Sequence, residues 1–198
     1  MVARLNYFSA VLEERPDDRK ILTKLMQLYS EEKDWSKLVE VVIKLAGKVE
    51  DMINTVVRQI AFHRFETRFH DARLKGELSA EAIGALWVET MAESLGPAIR
   101  LGKGYEHFWA YINHFVHAPF YVYAYATSIT AAQFFAQRIL DGAPGAREAY
   151  LGVLQSGSSV PPHELLQRAG LDLTSPAPYQ VLVRRMDQAM DEVEALMR

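Results

Sequence analysis

Two histidines and three tyrosines fall within twelve residues in the stretch His114-Phe115-Val116-His117-Ala118-Pro119-Phe120-Tyr121-Val122-Tyr123-Ala124-Tyr125. Imidazoles and phenolic hydroxyls can donate hydrogen bonds to a peptide carbonyl, or to the oxyanion that develops on it during hydrolysis. Pro119 lies between the two groups, and a proline-broken segment can turn both toward one cavity. The same residues can instead form an aromatic core segment whose hydroxyls find internal partners. The residue types alone leave both readings open.

A second constellation is His63, Glu66 and His70, spaced i, i+3 and i+7 and so on one face of a helix. Such a set can hold zinc with a water or a fourth ligand. It can equally be a solvated polar face, or Glu66 and His70 can sit in a structural hydrogen-bond network. The expectation is that it binds no metal. His163 and Glu164 follow Pro161-Pro162 and read as a helix N-terminus, where an acidic group is favourable. The chain contains no cysteine, which excludes disulfides and thiolate metal sites.

The elements that carry these residues have helical apolar spacing from Leu5 to Leu196, with no convincing alternation of β-branched residues. Leu5, Phe8 and Leu12 share a face, and Pro16-Asp17-Asp18 reads as a stop followed by a start. Ile21, Leu22, Leu25, Leu28 and Tyr29 repeat next, then Trp35, Leu38, Val39, Val42 and Leu45. Gly47 weakens the helix there. A helix from about Lys48 to Lys75 should be the longest or nearly so, and Ser79 should cap another that stops at Gly96-Pro97. Glu106 to Val116 reads as helical, Pro119 interrupts, and a helix resumes near Tyr121 and runs to Gly142. Two short helices flank Ser156-Gly157-Ser158-Ser159, and a last helix covers about Pro178 to Leu196. The expected class is all-α.

Composition narrows the function. Hydrophobic residues make up 49% of 198, enough for a core, and the formal net charge is -3 with Lys and Arg dispersed. That is not the concentrated basic surface of a nucleic-acid binder. From His107 to Gln137 there is no Asp, Glu, Lys or Arg, but the run holds three histidines, Asn113, Gln133, four tyrosines and Pro119. Those groups are costly in lipid, so no membrane span is expected. No apolar signal core follows the N-terminus and no cysteine is present, so a cytoplasmic location is expected.

Several separated segments resemble, in order, oligoendopeptidase F of the thimet-type zinc peptidases. The clearest is the His-Phe pair followed by Pro-Phe-Tyr-Val-Tyr-x-Tyr-Ala, here His114-Phe115 and Pro119 to Ala126. Upstream, Val49 to Phe62, Phe65-Glu66 with His70, Gly76-Glu77-Leu78 and Glu93 to Pro97 also fit. Downstream, Gly157, Glu164-Leu165-Leu166 and Gly170-Leu171-Asp172 fit the closing helices. The resemblance covers residues 46–198 and implies a multi-helix C-terminal part of that peptidase fold. Residues 1–45 are similar instead to a single tetratricopeptide-type helical hairpin, with Leu38 where that repeat has a small residue.

The resemblance implies roles. His114 would contact the substrate backbone, and Tyr121, Tyr123 and Tyr125 would bind substrate and stabilise the oxyanion. Tyr125 is favoured as the oxyanion donor, with His114 beside it as the catalytic pair. His117, within the same run, is grouped with the substrate-binding residues. Asn113 stands where proline is common, so the local turn can differ. The family's chemistry also needs His-Glu-x-x-His on a helix, with a further Glu as third zinc ligand, and the 198 residues contain no such motif. The expected function is therefore an oligoendopeptidase F-like portion that binds short peptides, inactive alone and holding no zinc itself. The alternative is a non-catalytic helical peptide- or protein-interaction module, with a protein partner or self-association through exposed apolar surface.

Overall fold

The computed structural model describes residues 2–15 and 18–197. Its regular elements are all helical, and no strand occurs among the described residues. Two compact units are present. One comprises the residues up to Asp51 and those from Arg185 onward, and the other runs from Met52 to Arg184.

In the first unit, α1 (Val2–Glu14) and α2 (Arg19–Glu31) precede α3 (Trp35–Ile53). Pro16 and Asp17 lie outside the described residues. Asp18 does cap α2: its Oδ1 accepts the N–H groups of Lys20 and Ile21 at 3.0 and 3.3 Å. The core consists of Ile21, Leu22, Leu25, Met26, Tyr29, Val41 and Leu45, with Leu5, Phe8 and Leu12 against it. The apolar stripe expected on α3 divides. Leu45 is buried and Leu38 and Val42 are partly so, whereas Trp35 and Val39 are exposed, as is Ile43.

The helix does not yield at Gly47. It continues to Ile53, passes through a π turn at Asn54–Arg58 and becomes α4 (Gln59–Leu74). A helical run thus extends from Trp35 to Leu74, beginning well before Lys48. A single interior glycine costs only about 1 kcal/mol against alanine, which apolar residues along the helix outweigh.

The second unit is built on α4 and α5 (Ala80–Leu95). Ser79 caps α5, its Oγ accepting the N–H of Ala82 at 3.2 Å. Ala61, Phe62, Phe65, Trp87, Met91 and Val122 form the core. Outside it, Arg68 reaches Glu89 at 3.0 Å and Arg64 reaches Glu93 at 3.0 Å. Residues Tyr105–Tyr111 adopt a 3-10 helix, and the helical stretch expected from Glu106 to Val116 is interrupted at Ile112, which is extended. Three residues per turn bring i and i+3 into line. The rings of Tyr105, Phe108 and Tyr111 accordingly stack, with centroids 5.5 and 6.0 Å apart. The single turn α6 (His114–His117) follows, then α7 (Tyr123–Leu140). A smaller cluster around Phe135, Ala169 and Leu171 seats α8 (Ala146–Ser156) and α9 (Pro162–Arg168). The last helix, α10 (Ala177–Met197), begins in this unit.

Candidate peptide-binding site

His114 opens α6, and Tyr125 lies in the first turn of α7. His114 Nε2 and the Tyr125 hydroxyl are 2.9 Å apart and share a hydrogen bond. Its direction follows the imidazole tautomer. Tyr121 completes a three-ring cluster. It stacks on His114 at 6.2 Å with 3° between the planes, and meets Tyr125 edge to face at 5.7 Å. All three reach the surface, Tyr121 and Tyr125 being exposed and His114 half-buried. When His114 donates to Tyr125, the phenol keeps its own O–H for a ligand, and a chained donor of this kind is strengthened by polarisation.

The other two candidates lie apart. The Tyr123 ring sits 5.6 Å from His63 rather than in the cluster. His117 is exposed at the end of α6.

Sequence reasoning missed how α4 meets this segment. Glu66 is buried to 1% exposure, and its Oε1 accepts the N–H of Phe120 at 2.7 Å. Glu66 Oε2 and His63 Nδ1 are buried without a hydrogen-bond partner among the described residues. The available signal was the helical spacing of His63, Glu66 and His70, which the sequence offers as a metal set or a structural network. Among the described residues, no group of three His, Asp or Glu side chains is placed to hold a metal ion. Glu66 Oε1 is engaged by a backbone amide, and the two imidazoles lie against aromatic rings. Beside these residues opens a pocket of about 250 Å³, lined by Phe65, Glu66, Phe69, His70, Trp109 and Phe115 among others. Elsewhere in this unit, burial pushes the Tyr105 hydroxyl above its ordinary pKa. No helix among the described residues is long and apolar enough to cross a membrane.

The fold is all-helical, and residues 9–184 match the model of peptidase family M3. The chain belongs to that family. It is 33% identical over 150 residues to oligopeptidase PepF of Bacillus subtilis, covering 75% of this chain and 22% of that protein. It is 34% identical over 143 residues to the plasmid oligoendopeptidase F of Lactococcus lactis subsp. cremoris, covering 72% of this chain and 24% of that one. The crystal structure of oligoendopeptidase-F from Enterococcus faecium superposes with a TM-score of 0.74 at 30% identity, covering 79% of this chain and 30% of that one. The chain therefore spans about a quarter of the length of these sequence relatives.

Proposed function

We propose that this chain is the peptide-binding portion of an oligoendopeptidase F-like peptidase, gripping the backbone of short peptides and not hydrolysing them by itself. The observation that carries this is the 2.9 Å His114–Tyr125 pair, joined by Tyr121 on an accessible face. Tyr125 supplies the donor to a carbonyl, His114 orients it, and Tyr121 flanks both. Tyr123 and His117 extend the contact surface. Hydrolysis needs an activated water, and no His-Glu-x-x-His motif stands in the sequence to generate one. Zinc is the parent family's metal, and no step here is assigned to it. On this reading the resemblance to oligoendopeptidase F is carried by residues 46–198, a helical hairpin precedes them within the matched family region, and the location is cytoplasmic.

Titration of the pure chain with short peptides, alongside an internally quenched peptide with and without zinc, tests the proposal. Weak saturable binding with no zinc-dependent turnover is expected. Turnover abolished by a chelator, or no binding at all, would overturn it.

A second reading, a non-catalytic helical interaction module, is favoured by one observation. Trp35, Val39 and Ile43 repeat at i, i+4 and i+8 on α3 and are all exposed. Exposed apolar surface of this kind favours association. Sedimentation showing a monomer at every concentration would remove self-association from this reading.

A further inference from the structure

Ala118-Pro119-Phe120-Tyr121 is a tight turn, closed by the Tyr121 N–H donating to the Ala118 carbonyl at 3.1 Å. Pro119 occupies its second position, and Phe120, at the third, has φ of +60°. That is the pattern of a type II turn, which calls for glycine at the third position. A bulky L residue rarely holds this conformation unless its surroundings impose it. Here they do so from three sides. The neighbouring amides of Ala118 and Tyr121 go to backbone carbonyls, but the Phe120 N–H goes to the buried carboxylate of Glu66 at 2.7 Å, across 54 residues of chain. The Phe120 ring lies 4.8 Å from the His70 ring and 6.2 Å from the His63 ring. One face of α4, at i, i+3 and i+7, thus grips a single residue by both its backbone and its ring.

We propose that Glu66 is a positioning residue. By holding Phe120 in the left-handed turn it sets the direction in which the chain leaves α6, and so the approach of Tyr125 to His114. The functional consequence rests on the peptide-binding reading above, but the geometric claim does not. The histidines flanking Glu66 serve as walls for the ring of Phe120, not as ligands.

The test uses the full chain with its imidazole nitrogens labelled, observed by NMR. Tyr125→Phe supplies the reference signal of an unpaired His114. Glu66→Leu, which removes the acceptor, is expected to shift His114 to that reference while circular dichroism stays helical. Glu66→Gln, which keeps an acceptor oxygen, is expected to retain the parent signal. Glu66→Leu combined with Phe120→Gly is expected to regain it, because glycine adopts the turn unaided. A folded Glu66→Leu chain with the parent His114 signal would overturn the proposal. If Glu66→Leu does not fold, the double variant decides. A folded double variant with the parent signal supports the proposal. An unfolded one would show that the core itself needs the carboxylate, and would overturn it.

Short-peptide affinity is the second readout. It should fall about 2- to 13-fold in Glu66→Leu, the equivalent of one lost hydrogen bond, and be spared in Glu66→Gln. If the parent binds no peptide, the proposed function fails, while the His114 signal still decides the role of Glu66.

Discussion

The imidazole of His114 and the hydroxyl of Tyr125 meet at 2.9 Å although eleven positions and a proline turn separate them. The pair is the polar centre of the aromatic face. Tyr125→Phe and His114→Ala should each weaken short-peptide binding by about 0.5–1.5 kcal/mol. Because the two side chains share one hydrogen bond, the double variant should lose less than the two single losses combined. Isothermal titration of the four proteins checks this. Strict additivity would mean that the two groups act on the peptide separately.

Two glycines in helices should respond oppositely to alanine. A Cβ at Gly84 would lie 2.7 Å from the Glu106 carbonyl oxygen, so Gly84→Ala must push the 3-10 segment off α5. Overpacking of this sort costs about 1–3 kcal/mol. Gly47 has open space around its Cβ position and sits inside α3. Gly47→Ala should stabilise by about 0.5–1 kcal/mol. Urea denaturation against the parent checks each: a Gly84→Ala chain no less stable would contradict the packing at Gly84, and a less stable Gly47→Ala chain would contradict the open space at Gly47.

Asp172 should make the Asp172–Ser175 turn acid-sensitive. The Thr174 hydroxyl and backbone N–H both donate to its Oδ1, at 2.7 and 2.9 Å, and hold the carboxyl below its ordinary value of 3.8. A carboxylate whose folded pKa is depressed adds stability above its unfolded pKa and loses it as pH falls through the folded one. The Tm difference between the parent and Asp172→Ala should therefore be steady from neutral pH down to that ordinary value, then shrink below it. A difference that persists in strong acid would show that the side chain acts by packing and not by charge.

The parts of this molecule that the sequence discloses are those governed by neighbours in the chain. Ser79 and Asp18 cap helices because short polar side chains satisfy the first free amides, and Trp87 is buried because of its place on an apolar face. The 3-10 geometry of Tyr105–Tyr111 is hidden, since its apolar spacing also suits an α-helix. Gly47 reads as a weak point, yet the helix passes through it. At the site, Pro119 announces a break but says nothing of Phe120 entering the left-handed region, which residue type argues against. The cause is Glu66, distant in sequence. The spacing of His63, Glu66 and His70 marks a shared face without revealing that its object is a phenylalanine.

The segment from His107 to Gln137 has no Asp, Glu, Lys or Arg, yet it presents Tyr111, Val116, Tyr121, Tyr123 and Tyr125 to water. Contact with such a surface draws on dipoles and apolar area, with no counter-ions of its own to displace. Its association with an uncharged ligand should scarcely change as sodium chloride rises to levels where the Debye length shrinks to about 3 Å. Ammonium sulfate should tighten it, since an excluded salt strengthens apolar burial. The face would thus keep its grip in brine that dissolves encounters steered by charge.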